Sequence, residues 1–356
     1  MTVTKKERVE FIDLAKGICI LLVVIFHLIP TTNPISEQLN LECLRMPLYF
    51  CLSGLFFKDY GGFKKLLIKK TNNILIPFIA WYAISYFVYY IGMYTIMSGF
   101  EAKHHYLDVV RGQSIYNGPI WFLLCLFWSS VIFDVIYRIT HKWRLQFVAV
   151  CICAVCGYLW DYSGWTNYFY MGTCLSCMPF YFMGYTLKRT LILAPGNLSP
   201  KEYGILAFCL IGFVIIACFP TVRARYLFVT NEYISDGSVL LTYIAGFLAV
   251  TALLLICKMI KRIKFITYLG RYSIIVLVSH ILIASPIDKI IEKTNFFAFN
   301  ENLRHLCVFF IVLLSMAFVI PFCKRFLPYI TAQKELLTDD LFKPPFLKRR
   351  TKEQEI

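Results

Sequence analysis

Ten apolar stretches, at 11–31, 44–58, 74–98, 119–138, 145–160, 170–188, 203–220, 238–258, 266–287 and 305–327, succeed one another along the chain with polar connections between them. A lipid-spanning helix needs about 20 mostly apolar residues. Inside hydrocarbon the backbone must satisfy its own polar groups, which a helix does within one segment. The pattern therefore predicts an all-α polytopic membrane protein with about ten transmembrane helices. The second stretch is short, which suits a tilted or re-entrant segment.

The basic residues give this bundle a direction. Of the 36 Lys and Arg, 27 lie in the two termini and the even-numbered connections, and 8 in the odd-numbered ones; Lys16 sits inside the first stretch. Cytoplasmic loops carry the excess of Lys and Arg, so both termini are expected in the cytoplasm. Omitting the short second stretch breaks this alternation. In a soluble chain the net charge of +15 would suggest nucleic acid. Here the charge follows topology, and no nucleic-acid partner is expected. A composition 59% hydrophobic and only 16% charged also exceeds what a soluble domain needs.

Residues 1–327 are read as one membrane domain and 328–356 as a basic cytoplasmic tail, partly disordered. The charged lead MTVTKKERVE precedes an apolar run, but the run ends in FHLIPTTNP without a small-residue cleavage pattern, so the first helix is expected to stay. No internal or inverted repeat is visible, the usual pointer to a secondary transporter. Most of the 14 Cys lie in apolar stretches, where they act as small hydrophobes. Cys174 and Cys177 form a C-x-x-C with no second Cys or His pair nearby in sequence, so no metal is expected.

Ionisable residues inside a span are costly and default to functional-site hypotheses. The first stretch, FIDLAKGICILLVVIFHLIP, holds Asp13, Lys16 and His27. Lys16 and His27 are separated by about three turns of 3.6 residues and share a face, about 16 Å apart along the axis. Asp13 can pair with Lys16 one turn on. Lys16 then lies near the cytoplasmic boundary and His27 deeper, past the midplane. Two plainer readings stand beside this one: Lys16 snorkelling to headgroups with Asp13 as partner, and His27 as a satisfied core histidine.

Four further stretches stand out. RMPLYFCLSGLFF (45–57) opens with Arg45 at the outer face, has Pro47 where a first helical turn tolerates it, and offers Ser53 and Gly54 for close backbone approach. KDYGGFKKLLIKKTNNILIPF (58–78) carries lysines that could lie on anionic lipid as an amphipathic helix or grip phosphates as point charges. NGPIWFLLCLFW (117–128) contains Trp121, an interface anchor or a substrate platform. YLGRYSIIVLVSHILI (268–283) contains a second intramembrane histidine, His280, structural or catalytic.

Taken in order, FIDLAKGICILLVVIFH, MPLYFCLSGLFF, the basic stretch running into ILIPF, GPIWFLLCLF and LGRYSIIVLVSH resemble the membrane-bound acyltransferase 3 family, and in particular its fucose 4-O-acetylase-like branch. The resemblance implies a bundle of about ten helices that takes an acyl group, usually acetyl, from cytoplasmic acyl-CoA. The acceptor it implies is a hydroxyl of a sugar or lipid-linked glycan of the cell envelope, at the cell inner (plasma) membrane. The family's motif of a basic residue, ten spacers and a histidine falls on Lys16 and His27. The family usually has Arg at the first position, and Lys is less suited to bidentate recognition. Where the family often has two arginines before the proline of the third helix, this chain has KKTNNILIP, with Lys69, Lys70 and Asn73.

On this reading His27 is the base that activates the acceptor hydroxyl, and Asp13 supports Lys16. Lys16, Lys69, Lys70 and Asn73 meet the acetyl-CoA co-substrate on the cytoplasmic side. Arg45, Ser53 and Trp121 face the acceptor, with His280 assisting. The partners expected are acyl-CoA, an envelope glycan or lipid-linked sugar, and membrane lipids. The rival reading is a transporter or flippase of a glycan or lipid precursor, which also needs intramembrane polar groups but consumes no acyl-CoA.

Overall fold

The computed structural model describes residues 9–29, 42–96, 106–112, 116–188, 190, 196–218, 226–227, 232–233, 239–294 and 300–338. The basic residues at 1–8 and the end of the tail at 339–356, on which part of the topology reading rests, lie outside the described residues.

The chain is built from helices: α1 Glu10–Leu28, α2 Glu42–Leu55, α3 Phe63–Lys70, α4 Ile76–Ile96, α5 Trp121–Ile139, α6 Trp143–Tyr162, α7 Met171–Leu187, α8 Pro200–Cys218, α9 Val239–Ile260, α10 Lys264–Arg271, α11 Ser273–Lys293 and α12 Glu301–Phe326. The only strands described are a two-residue pair, Tyr226–Leu227 against Glu232–Tyr233. Among the described residues, seven helical segments are long and apolar enough to cross a membrane: α1, Phe63–Tyr89, Gly118–Ile139, α6, α9, α11 and α12. Helices also stand at the places of the other three expected stretches, namely α2, α7 and α8.

Three boundaries differ from the sequence reading. α2 starts at Glu42, so Pro47 is a helix-interior proline and not a first-turn residue. The basic segment before the third stretch is helical, as α3, and continues into α4 through one π-turn, Thr71–Leu75. The reason is Pro77, which has no N–H and whose ring would press on the carbonyl of Asn73. The wider turn sets the Ile76 N–H on the Thr71 carbonyl and relieves that crowding. The ninth expected stretch is broken at Tyr272 (φ −116°, ψ 28°) into the short α10 and the long α11.

α1 lies inside the bundle. Leu14, Ala15, Cys19, Ile20 and Val24 have no exposure, as expected where the apolar part of a helix packs against its neighbours. Lipid gives little hydrophobic drive between helices, so close packing at small residues takes its place. Two crossings here are reciprocal. A Cβ on Gly17 would lie 2.0 Å from the Ile266 carbonyl oxygen, and one on Gly270 would lie 1.8 Å from that of Asp13, which locks α1 to α10. Likewise a Cβ on Gly54 would lie 1.8 Å from the Tyr181 carbonyl oxygen, and one on Gly184 1.8 Å from that of Cys51, which locks α2 to α7.

Candidate active site

The two intramembrane histidines meet. The rings of His27 on α1 and His280 on α11 have centroids 5.7 Å apart, tilted by 48°. His27 keeps an exposed face and packs edge-on against Phe26 at 5.1 Å. Among the described residues it makes no hydrogen bond, so it is not a satisfied core histidine. His280 is fully buried and its Nδ1 lies 2.9 Å from the Val276 carbonyl oxygen. Its Nε2 is buried with no hydrogen-bond partner among the described residues.

Arg45 joins this region from α2. Arg45 is nearly buried in the first turn of α2, with its guanidinium 3.7 Å from the centre of the Phe26 ring. An arginine over an aromatic face is attracted by the ring quadrupole. Its carbonyl accepts from the Cys19 thiol at 3.0 Å, which ties α2 to the middle of α1.

Trp121 is buried, so it is not an interface anchor. It packs 5.7 Å from Tyr170 and 6.2 Å from Phe122. Phe169 and Tyr170 both have left-handed backbones (φ 51° and 59°), a costly conformation that persists only where its surroundings enforce it. Asn167 supplies that enforcement: its Oδ1 accepts the Gly172 N–H at 3.0 Å and its Nδ2 donates to Thr173 Oγ1 at 2.9 Å. Trp121 therefore rests on a rigid ring. No described ring contact joins it to the histidine pair. Ser53 is half-buried in α2, beside the Gly54 crossing.

At the other end of α1, Asp13 is buried and engaged by Arg271, Nε to Oδ2 3.5 Å. The sequence reading paired Asp13 with Lys16 and overlooked this cation from α10. Lys16 is half-buried, with its ammonium 4.1 Å from the centre of the Phe56 ring.

The other expected cofactor residues lie around the π-turn. Lys70 and Asn73 are half-buried there, while Lys69 is ion-paired with Glu335. The neighbouring Asn72, which the sequence reading passed over, is fully buried. Its Oδ1 accepts from the N–H groups of Leu336 and Leu337, both at 2.8 Å, and its Nδ2 donates to the Leu337 carbonyl at 2.8 Å. Trp81 adds a bond to the Ile330 carbonyl at 3.0 Å. Residues 330–337 thus form a strap across the π-turn, where the sequence suggested the start of a loose tail.

Two buried ionic sites were also missed. Asp134 on α5 has no exposure and is held by Arg138, Nε 2.6 Å and Nη2 3.3 Å away. Lys258 on α9 meets Glu202 at the start of α8 at 2.5 Å. The first was open to the spacing and intramembrane-charge reasoning applied to the first helix; the second joins residues 56 apart in sequence and was not. Among the described residues no three His, Cys, Asp or Glu come together in a way that could hold a metal ion.

The model of one protein family, an acyltransferase domain, matches residues 9–323. The chain belongs to the acyltransferase 3 family. The match spans α1 through nearly all of α12, so the histidine pair, the π-turn and both glycine crossings lie within the family domain. No curated protein and no solved structure matches the chain. This acyltransferase is a helical protein with several membrane-spanning segments.

Proposed function

We propose that this acyltransferase moves an acetyl group from cytoplasmic acetyl-CoA to a hydroxyl of a cell-envelope sugar or glycan, as in the fucose 4-O-acetylase-like branch. The observation that carries this reading is the meeting of His27 and His280 from opposite ends of the sequence. An alcohol is a weak nucleophile at neutral pH, and a base within hydrogen-bond reach accelerates its attack by about 10²–10⁴-fold. His27, with an exposed face, is the base that an acceptor can reach. Arg45 stands close by to bind it.

On this reading the protein crosses the inner (plasma) membrane ten times, with both termini in the cytoplasm. Lys16, Lys70 and Asn73 line the approach for the CoA phosphates, and Lys69 joins them when Glu335 yields. The long CoA arm bridges the distance of about 16 Å from the level of Lys16 to that of His27. Asp13, held by Arg271, fixes the turn of α1 that presents Lys16. The test has two parts: acetyl-CoA binding by the purified protein, and mass spectrometry of envelope glycans from cells carrying wild-type or His27→Ala protein. Normal acylation by well-expressed His27→Ala would sink the assignment of the base. A wild-type protein that moves a glycan and ignores acetyl-CoA would establish the transporter reading instead.

A further inference from the structure

A base needs more than proximity: its reactive nitrogen must be the unprotonated one. The Val276 carbonyl can only accept a hydrogen bond, so the Nδ1 of His280 facing it at 2.9 Å carries a proton. Neutral imidazole has a single N–H, and Nε2 of His280 therefore presents a bare lone pair. That lone pair is buried and unpartnered among the described residues, a condition proteins avoid unless the group has other work. The ring beside it, at 5.7 Å between centroids, is that of His27. His27 in turn makes no hydrogen bond among the described residues that would fix its tautomer.

We propose that His280 is the positioning residue for His27: as the acceptor binds, the two rings close from their separation here, where they share no hydrogen bond, and Nε2 of His280 accepts the N–H of His27, which leaves the other ring nitrogen of His27 bare toward the acceptor hydroxyl. The proposal rests on the acyl-transfer reading above. Asp13 cannot fill this role, being about four turns away along α1. Nor would a carboxylate suit the place, since a fixed negative charge at that depth is expensive. A neutral imidazole anchored on a backbone carbonyl supplies an acceptor without a charge. A base oriented by a third group is the general form of an activated nucleophile site.

The step balances. The hydroxyl oxygen bonds to the thioester carbonyl carbon as its proton passes to His27. The resulting imidazolium keeps its second N–H on His280. The adduct collapses with cleavage of the C–S bond, and the CoA sulfur leaves with the proton from His27. The products are an ester and free CoA thiol, with both histidines neutral again.

His280→Leu and His280→Gln separate this role from packing. Leu fills space but accepts nothing, whereas the Gln carboxamide oxygen can accept the His27 N–H. Full-length protein in lipid nanodiscs is given acetyl-CoA, with membranes of a strain lacking the protein as the acceptor source, and CoA thiol release is followed. His280→Leu is expected to lower kcat about 100-fold, with KM for acetyl-CoA changed less than about 2-fold. His280→Gln is expected to recover at least about tenfold of that loss. If the Leu variant does not fold, His280→Met replaces it. Wild-type turnover in the apolar variant, or a Gln variant no better than the apolar one, overturns the assignment alone. Absence of CoA release by the wild type overturns the acyl-transfer reading, and the assignment with it.

Discussion

Gly17 and Gly270 each occupy the space that a side chain would take from the other's helix: Gly17 backs onto the Ile266 carbonyl of α10, and Gly270 onto the Asp13 carbonyl of α1. A methyl group at either position meets backbone, which cannot swing away. Gly17→Ala and Gly270→Ala should therefore push α1 from α10 and disturb the Asp13–Arg271 pair. The expected result is a sharp loss of folded protein in fluorescence size-exclusion profiles. Gly204 in α8 has nothing within 4 Å of the place a Cβ would take, so Gly204→Ala should be neutral or stabilising by up to about 1 kcal/mol. Equal behaviour of the three variants would refute the crossing as the cause.

The Asp134–Arg138 pair should respond unequally to loss of its two members. Asp134 is fully buried, whereas Arg138 is partly exposed. Arg138→Ala removes the hydrogen-bonding partner of a buried carboxylate and should destabilise, by less than the loss of about 3–5 kcal/mol for a fully buried pair because Arg138 is partly exposed. Asp134→Asn keeps an acceptor and removes the charge, so it should cost less. Thermal unfolding of the two variants in one detergent checks the order, and a lower Tm for Asp134→Asn would contradict it.

Glu202 sits in the first turn of α8, ahead of its apolar run. The Lys258 ammonium beside it, followed by the Ser199 N–H, holds its carboxyl down at about 2, from an ordinary 4.5. A folded-state value below the unfolded one means stability that is present above the ordinary range and lost as pH falls toward 2. Glu202→Gln should lower Tm near neutral pH and flatten its decline between about pH 4.5 and 2. An unchanged acid slope in the variant would show that the pair contributes nothing to acid sensitivity.

Lys16 should act on acetyl-CoA and not on the acceptor. Lys16→Ala is expected to raise KM for acetyl-CoA about tenfold, the loss of one charge-assisted contact of about 1.5 kcal/mol, with kcat little changed. Lys16→Arg should restore binding. Steady-state kinetics at saturating acceptor decide this, and an unchanged KM in the Ala variant would remove Lys16 from the donor site.

The ion pair between Lys69 and Glu335 is partly exposed, and such pairs contribute about 0–1 kcal/mol. If Lys69 serves CoA phosphates, Glu335→Gln should tighten acetyl-CoA binding by no more than about fivefold. Isothermal titration measures this directly. Weaker binding in Glu335→Gln would mean that Glu335 helps to build the site.

Much of the architecture was readable because hydropathy and loop charge are local properties. The apolar runs located the helices, and the spacing of Lys16 and His27 singled out α1. What failed was tertiary. That Arg45 would be buried over the Phe26 ring is not legible in its own stretch, since it depends on how α1 and α2 pack. That His280 would meet His27 has no signature in either stretch, since their contact depends on how α1 and α11 cross. The capture of Asp13 by Arg271 is of the same kind. Asp134 is different: an Asp followed four residues later by an Arg in an apolar helix is a local pattern, and the rule applied to the first helix would have found it.

The bonds of Asn72 to Leu336 and Leu337 carry a consequence for biogenesis. The ribosome makes Asn72 early and its partners only after the last span. Throughout synthesis and insertion, the π-turn ahead of α4 must stand without its strap. A nascent chain therefore carries a polar side chain whose bonds to residues 336 and 337 form only once synthesis has passed the last helix.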